Sequence, residues 1–443
     1  MKILVQKFGG TSVSTESIRE SAADHIEHAL KEGYRVVVVV SAMGRKGEPY
    51  ATDQLLDLVA GQQHPAKREL DILLSCGETI SAVVFASMLR NRGIDATALT
   101  GAQAGIITDH THGEARILRV QTDRLLHELE SGRVAVVTGF QGSTETGEIT
   151  TLGRGGSDTT AAALGAALNA ERIDIFTDVE GILTADPRIV SNARLLSELS
   201  YTDARHLAWE GAKVIHPRAV DIAMRRNIPL HVRATKTTAE GSRITYGKWS
   251  VEDNQYPMGH IVGVAHRTNL VQYTVEANTD KQQQFFAAIR EAGVSSEVAT
   301  TFPDGICLTI AQDFSDELER YTDEQGMRIL TETSCARVSL VGNNLEESQG
   351  LMSNVFQTLV NHQIDVLQSA DAPFSLRVVV PSSNLTDAVT LLHDHVSQPS
   401  PLSSLDARRA AANFLDVKGA DAAARDSVES NQVNSTAVHK VLA

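Results

Sequence analysis

Ile3-Leu4-Val5-Gln6-Lys7-Phe8-Gly9-Gly10-Thr11-Ser12 is the stretch whose reading decides the fold. Its apolar start predicts a buried strand. Beyond it Ile18, Ala22, Ile26, Ala29 and Leu30 recur at helical spacing until Gly33 supplies a stop. Val36 to Val40 is then apolar throughout, as in a central strand of a sheet covered on both faces. A βαβ unit results, with a lysine and two adjacent glycines at its first strand-to-helix turn. Such a turn can hold phosphate. Glycine lets the backbone approach an anion, the first helical turn leaves N–H groups free, and lysine adds a full charge. Many Gly-Gly turns only turn, so the reading depends on what accompanies this one.

Working outward, strands are expected near 2–6, 35–40, 95–99, 134–138, 173–177 and 228–233, separated by helical stretches. That alternation predicts an α/β domain, an open and mainly parallel sheet sandwiched by helices, over residues 1–245. A polar linker follows at 246–261. Beyond it two copies of a βαββαβ pattern fit ferredoxin-like domains at 262–333 and 334–396. In these, strands are expected at 270–275, 305–310, 337–341, 366–369 and 376–380, and helices at 282–291, 348–361 and 385–395. From Ser397 the chain turns to Gln398-Pro399-Ser400-Pro401 and few large apolar residues, so 397–443 is expected to be mostly disordered, with a short helix around 406–414.

A chain of 443 residues, 42% hydrophobic, is too long for one core. No run of eighteen apolar residues occurs, and Met1-Lys2-Ile3 passes straight into a strand, so a soluble cytoplasmic protein is expected. The formal net charge of −15 opposes nucleic acids and anionic membranes, and any anion site must be built locally from placed cations. Cys76, Cys307 and Cys335 lack CxxC or His-rich spacing; they read as small core residues, and no metal site is expected.

Gly153-Arg154-Gly155-Gly156-Ser157-Asp158 precedes an alanine-rich helix. Arginine offers a planar fork for a carboxylate, and the glycines let the backbone close around a small ligand. Ser157 or Asp158 is also expected to cap the helix, which explains neither the arginine nor the glycines. Glu78 sits in an apolar helical neighbourhood and must meet either a structural arginine or a cationic group of a ligand. Ser41 directly follows the valine run. Thr52 and Asp53 open a helix, where a cap explains Asp53 as well as a site does. The segment Thr177-Asp178-Val179-Glu180-Gly181 ends a strand and continues to Asp186-Pro187-Arg188; ligands collect at such ends, though turn chemistry accounts for the same residues. Lys213-Val214 is equally open between a site and a solvated surface. There is neither a GxxxxGK[ST] nor a GxGxxG after a strand, so phosphate must be held on another scaffold.

Taken together, KFGGTSV at 7–13, VVVSAM at 38–43, ATDQLLDL at 51–58, SCGE at 75–78, GFQG at 139–142, TLGRGGSDTTA at 151–161, FTDVEGILTADPR at 176–188 and GAKVIHPRA at 211–219 resemble the aspartokinases of the amino acid kinase family. The later repeat is similar to their paired ACT domains, and the SAMGRKG stretch to the Bacillus-type, diaminopimelate-sensitive class. The resemblance implies transfer of the γ-phosphoryl of MgATP to the β-carboxylate of L-aspartate, the first step toward lysine, diaminopimelate, threonine and methionine. It assigns Lys7 and Asp158 to catalysis. Ser41, Thr52, Glu78, Arg154, Gly155, Gly156 and Ser157 would bind substrate, with Arg154 on its α-carboxylate and Glu78 on its ammonium. Lys7, Phe8, Gly9, Gly10, Thr177, Asp178, Gly181, Asp186, Arg188, Lys213 and Val214 would bind nucleotide, and the Gly9 and Gly10 amides would hold the transferring phosphoryl group.

The resemblance further implies feedback by lysine, threonine or diaminopimelate, and a homodimer formed through the ACT units. One departure bears on control. ACT domains that bind amino acids usually carry a Pro-Gly turn, and here the first copy reads Ala277-Asn278-Thr279-Asp280 and the second Gly342-Asn343-Asn344-Leu345. An internal start at Met258 would give a separate regulatory chain, and the length is expected to leave no room for a fused homoserine dehydrogenase. Two alternatives are a kinase for another amino acid, such as glutamate, and a catalytically silent ACT-type amino acid sensor.

Overall fold

A computed structural model describes residues 1–61, 65–246, 260–291, 293–345, 348 and 350–397. Most of the expected linker, Met258, and the expected tail with its short helix, apart from Ser397, lie outside these residues. The first domain runs β1 (Ile3–Phe8), α1 (Glu16–Lys31), β2 (Arg35–Val40), α2 (Thr52–Asp57), α3 (Lys67–Asn91), β3 (Ala96–Leu99), β4 (Ile106–Thr108), β5 (Ile117–Val120), α4 (Asp123–Glu130), β6 (Val134–Thr138), β7 (Gln141–Ser143), β8 (Ile149–Thr151), α5 (Gly156–Ala167), β9 (Arg172–Thr177), β10 (Glu198–Ser200), α6 (Tyr201–Glu210), α7 (Pro217–Arg226), β11 (Leu230–Ala234) and β12 (Ser242–Thr245). The main sheet has the order β10-β12-β11-β9-β1-β2-β6-β3, parallel except between β11 and β12. A second sheet, β5-β4-β7-β8, was not expected from the sequence.

Alternation along the central strands builds two cores. Val5, Val37 and Val39 face a cluster with Ala161, Ala162 and Leu164 of α5; Leu4, Phe8, Val36, Val38 and Val40 face one with Ile26 of α1 and Phe85 of α3. The register then fixes the site. Phe8 lies opposite Val40 on one side and Phe176 on the other, so Gly9, Ser41 and Thr177 emerge together at the carboxyl edge. Helix α3 is long and apolar enough to cross a bilayer by length and composition alone. It nevertheless packs on β3, β6 and β8, and its buried face includes Asp71 and Glu78, as suits a core helix. Its outward side carries Cys76, so only Cys307 and Cys335 are the buried thiols expected.

The second domain comprises β13 (His260–Glu276), α8 (Thr279–Glu291), β14 (Ser296–Phe302), β15 (Gly305–Ala311), α9 (Ser315–Glu324), β16 (Arg328–Asn343), α10 (Leu351–Asn361), β17 (Gln368–Ala372), β18 (Ser375–Pro381) and α11 (Leu385–Ser397). All six strands form one antiparallel sheet, β14-β15-β13-β16-β18-β17. The long strands β13 and β16 pair along their length and serve both ferredoxin-like units. Residues 270–276 and 328–332 belong to the first, with α8 and α9, and 336–343 belong to the second, with α10 and α11. Residues 260–267 supply the fourth strand of the second unit. The expected boundary between residues 333 and 334 therefore falls inside a strand, and the opening of the chain segment assigned to the first unit completes the other. Each unit keeps its own apolar core. Ala185 and Val190 of the first domain lie in the core of the second unit.

Candidate active site

Lys7 projects from the end of β1, and its Nζ lies 2.7 Å from Asp158 Oδ1. The ammonium also stands over the glycine turn, since a Cβ on Gly9 would lie 3.5 Å from it. Gly10 is closely covered: a Cβ there would lie 2.7 Å from the carbonyl oxygens of Ala42 and Gly44, and Gly44 N–H donates to Gly10 O at 3.0 Å. The loop after β2 thus rests on the glycine turn. Gly9 N–H donates to Phe176 O at 3.2 Å, so that amide is committed within the sheet edge.

The glycine-arginine stretch delivers Asp158. Gly155, at φ 68°, starts α5, and no side chain caps the helix. The expected cap by Ser157 or Asp158 is therefore absent, because both lie inside the helix and Asp158 is turned to other partners. Its Oδ2 accepts from His216 N–H at 3.1 Å. Gly155 makes that possible, since a Cβ there would lie 2.1 Å from the His216 ring. Burial pushes the His216 pKa below its usual value, against the opposing charge of Asp158. Gly156 and Ser157 are buried where a Cβ on Gly156 would meet Phe140, and one on Gly139 would meet Ser157. Arg154 is exposed and pairs with no described residue, so its fork is free.

Glu78 settles the question its sequence posed. It is 3% exposed on α3; Oε1 accepts from Ala42 N–H at 3.0 Å, and Oε2 has no partner. Among the described residues no arginine meets it. Burial raises its pKa to about 8, against the hydrogen bond from Ala42. Ser41, one residue before Ala42, is half-buried beside it in sequence, as is Thr52 at the start of α2. Ala51 occupies the cap position of α2 without a side-chain bond, so neither Thr52 nor Asp53 is a cap.

On the other side of the turn, Thr177 Oγ1 donates to Asp178 Oδ1 at 3.1 Å. Gly181 packs where a Cβ would lie 2.6 Å from Ser242 Oγ. Asp186 accepts from the Arg188 side chain, from Nε at 3.0 Å and Nη2 at 2.6 Å, and from its backbone N–H at 2.9 Å, which hold its carboxyl below the usual range. Lys213 is exposed and pairs with no described residue, and Val214 packs partly against the first core.

Sequence reasoning passed over two residues. Asp71 is fully buried on the same face of α3 as Glu78 and accepts from Gly113 N–H at 3.0 Å and Thr151 Oγ1 at 2.5 Å, with His112 Nδ1 at 2.7 Å. It anchors the loop that backs Gly153, where a Cβ would lie 3.2 Å from Gly113 O. Its seven-residue spacing from Glu78 was the available signal. Arg45, in the loop that covers Gly10, forms an ion pair with Asp178. It lies in the SAMGRKG stretch, which was read for its resemblance and given no role in the site.

A parallel sheet whose carboxyl edge carries a lysine over a glycine turn and a carboxylate that holds it, with a buried glutamate and an unpaired arginine on the elements around it, is the frame of a small-molecule kinase. Residues 2–234 match the model of the amino acid kinase family, and 338–396 match an ACT domain. Aspartokinase 1 of Bacillus subtilis is 46% identical over 398 residues, 89% of this chain and 98% of its own. Among solved structures, E. coli aspartokinase III in complex with aspartate and ADP (R-state) matches with a TM-score of 0.73 at 27% identity, covering 90% of this chain and all of that one. The same enzyme in complex with lysine and aspartate (T-state) matches with a TM-score of 0.68 at 26% identity, covering 89% and all. The chain belongs to the aspartokinases of the amino acid kinase family.

Proposed function

We propose that this chain is an aspartate kinase that moves the γ-phosphoryl group of ATP, carried with Mg2+ as part of the substrate, onto the β-carboxylate of L-aspartate to give 4-phospho-L-aspartate. The observation that carries the reading is Glu78: a buried carboxylate with an unpartnered oxygen and no protein cation is a socket for a substrate ammonium. Arg154 would take the α-carboxylate, leaving the β-carboxylate to face Lys7. Ser41 and Thr52 would line that end.

The acceptor carboxylate is already ionised at neutral pH, so no general base is required. Catalysis then reduces to holding two anions together and neutralising the charge that develops on the phosphoryl oxygens. Lys7 and the Gly10 amide would do this, with Asp158 fixing the lysine and His216 fixing Asp158. Thr177, Asp178, Gly181, Asp186, Arg188, Lys213 and Val214 would contact the nucleotide. The second domain would bind lysine, threonine or diaminopimelate as a feedback effector, supported by the lysine complex of the E. coli relative, and would join two chains as a homodimer.

A coupled hydroxamate assay with L-aspartate and MgATP tests the activity, and repeating it with each effector tests control. Lys7→Ala should reduce turnover by at least about a hundredfold while the chain stays folded. Unchanged turnover would overturn the role given to Lys7. Equal turnover of L-glutamate would instead favour the broader amino acid kinase reading.

A further inference from the structure

We infer that Arg45 is a further phosphate-binding cation, reaching the nucleotide's phosphates from the substrate-side loop, and that Asp178 holds its guanidinium when no nucleotide is present. The inference rests on the phosphoryl-transfer reading above and goes beyond it by giving a role to a residue that the resemblance assigned to neither substrate nor nucleotide.

The charge count motivates it. Transfer brings a polyanionic nucleotide against an anionic acceptor, in a chain whose net charge is −15. Lys7 meets this with its charge already matched by Asp158 at 2.7 Å, and Arg154 is taken up by the α-carboxylate. Arg188, itself paired with Asp186, and Lys213 would serve the nucleotide from its own side, which leaves the face toward the substrate loop to a further cation. Arg45 is placed to be that group. It follows Gly44, whose N–H is bonded to Gly10 O and whose carbonyl leaves no room for a Cβ on Gly10, so the loop that carries Arg45 is seated on the phosphate turn itself. Its side chain reaches across to Asp178, one residue beyond the end of β9, on the nucleotide side of the same edge.

The pair is also easily exchanged. Both side chains are about half exposed, 62% and 49%, and an ion pair in that setting contributes little to stability. A guanidinium gains more from a phosphate, which it can grip through two parallel N–H bonds, than from a solvated carboxylate. Nucleotide binding would then release Asp178 toward the Mg2+-bearing face of the phosphates, and the exchange would draw the substrate loop over the site.

Binding of ATP and of AMP to the full-length chain, measured by calorimetry in Arg45→Ala and Arg45→Lys, separates this from a loop strap. Arg45→Ala should weaken ATP binding about tenfold and leave AMP within twofold, because AMP lacks the outer phosphates; Arg45→Lys should restore part of the loss. In the hydroxamate assay the KM for ATP should rise in parallel while that for L-aspartate stays within twofold. Equal weakening of ATP and AMP, or a rise in the aspartate KM alone, would mean that Arg45 only ties two loops together and would overturn the inference. Unchanged ATP binding in Arg45→Ala would overturn it too. Failure of the wild-type chain to turn over aspartate would count against the kinase reading, whereas a failure confined to the Arg45 variants counts against this inference alone.

Discussion

Glu78 shows how a single residue can carry a substrate class and a pH dependence together. Its carboxyl, pushed from 4.5 to about 8 by burial, is mostly protonated in the folded chain at neutral pH. Between those values the folded state binds the extra proton, so this contribution to stability is complete below about 4.5, declines as pH rises, and is lost above about 8. An incoming ammonium reverses the preference, because only the ionised carboxylate pairs with it. Aspartate binding near pH 7 should therefore release a proton from Glu78, visible in calorimetry as a binding enthalpy that changes with the ionisation enthalpy of the buffer. In Glu78→Gln that release should vanish, the KM for aspartate should rise at least about tenfold, and the pH dependence of stability between 5 and 8 should flatten. The same proton release in the variant would place its source elsewhere. Glu78 stood out in the sequence because its neighbours are apolar. Asp71, as deeply buried on the same helix face, was hidden by the charged residues Lys67, Arg68 and Glu69 just before it.

At the scale of elements, the apolar runs showed the central strands nearly to the residue, since Val36 to Val40 can sit only in the middle of a covered sheet. The small sheet escaped because β7 and β8 are three residues each, Gln141–Ser143 and Ile149–Thr151, and mostly polar, with no periodicity to read. Helix α5 starts earlier than the expected cap at Ser157 or Asp158, and for a different physical reason: a left-handed glycine, and not a side-chain cap, begins it. That difference is testable. Gly155→Ala would force a Cβ into the left-handed region at φ 68° and into the His216 ring at 2.1 Å. The strain alone costs at least about 1 to 3 kcal/mol, read as a lower Tm. The displaced His216 would also release Asp158 and hence Lys7, so kcat should fall by much more than the loss of folded protein explains. A variant with wild-type kcat would show that Asp158 does not need the His216 amide.

Across the whole molecule, the two domains meet through a buried charge cluster that no sequence pattern marked, because Glu210 lies more than a hundred residues from Arg337, Ser339 and Arg377 that meet it. Glu210, at the end of α6, is 1% exposed; its carboxylate accepts from Arg377 Nη2 at 2.5 Å and Ser339 Oγ at 2.9 Å and forms an ion pair with Arg337 Nη2 at 2.9 Å, and Arg337 also pairs with Glu297. Burial alone would raise the Glu210 pKa, but hydrogen bonds from Arg377 and the charge of Arg337 outweigh it and hold the carboxyl low. Its contribution to stability is thus present at neutral pH and lost as pH falls below the usual carboxyl range. Gly211 follows at φ 125°, where a Cβ would lie 2.2 Å from His266 O, so the chain leaves the cluster pressed against β13. Five residues after Gly211 the chain reaches His216, whose amide holds Asp158. Glu210→Ala strands Arg337, itself 2% exposed, without its main carboxylate, a loss of about 3 to 5 kcal/mol. Urea denaturation should then show the domains separating in two steps where the wild type unfolds with them joined, and activity should fall with the first step. Coincident loss of both domains in the variant would mean that the apolar contacts of Ala185 and Val190 in the second core, and not the charge cluster, hold the domains together.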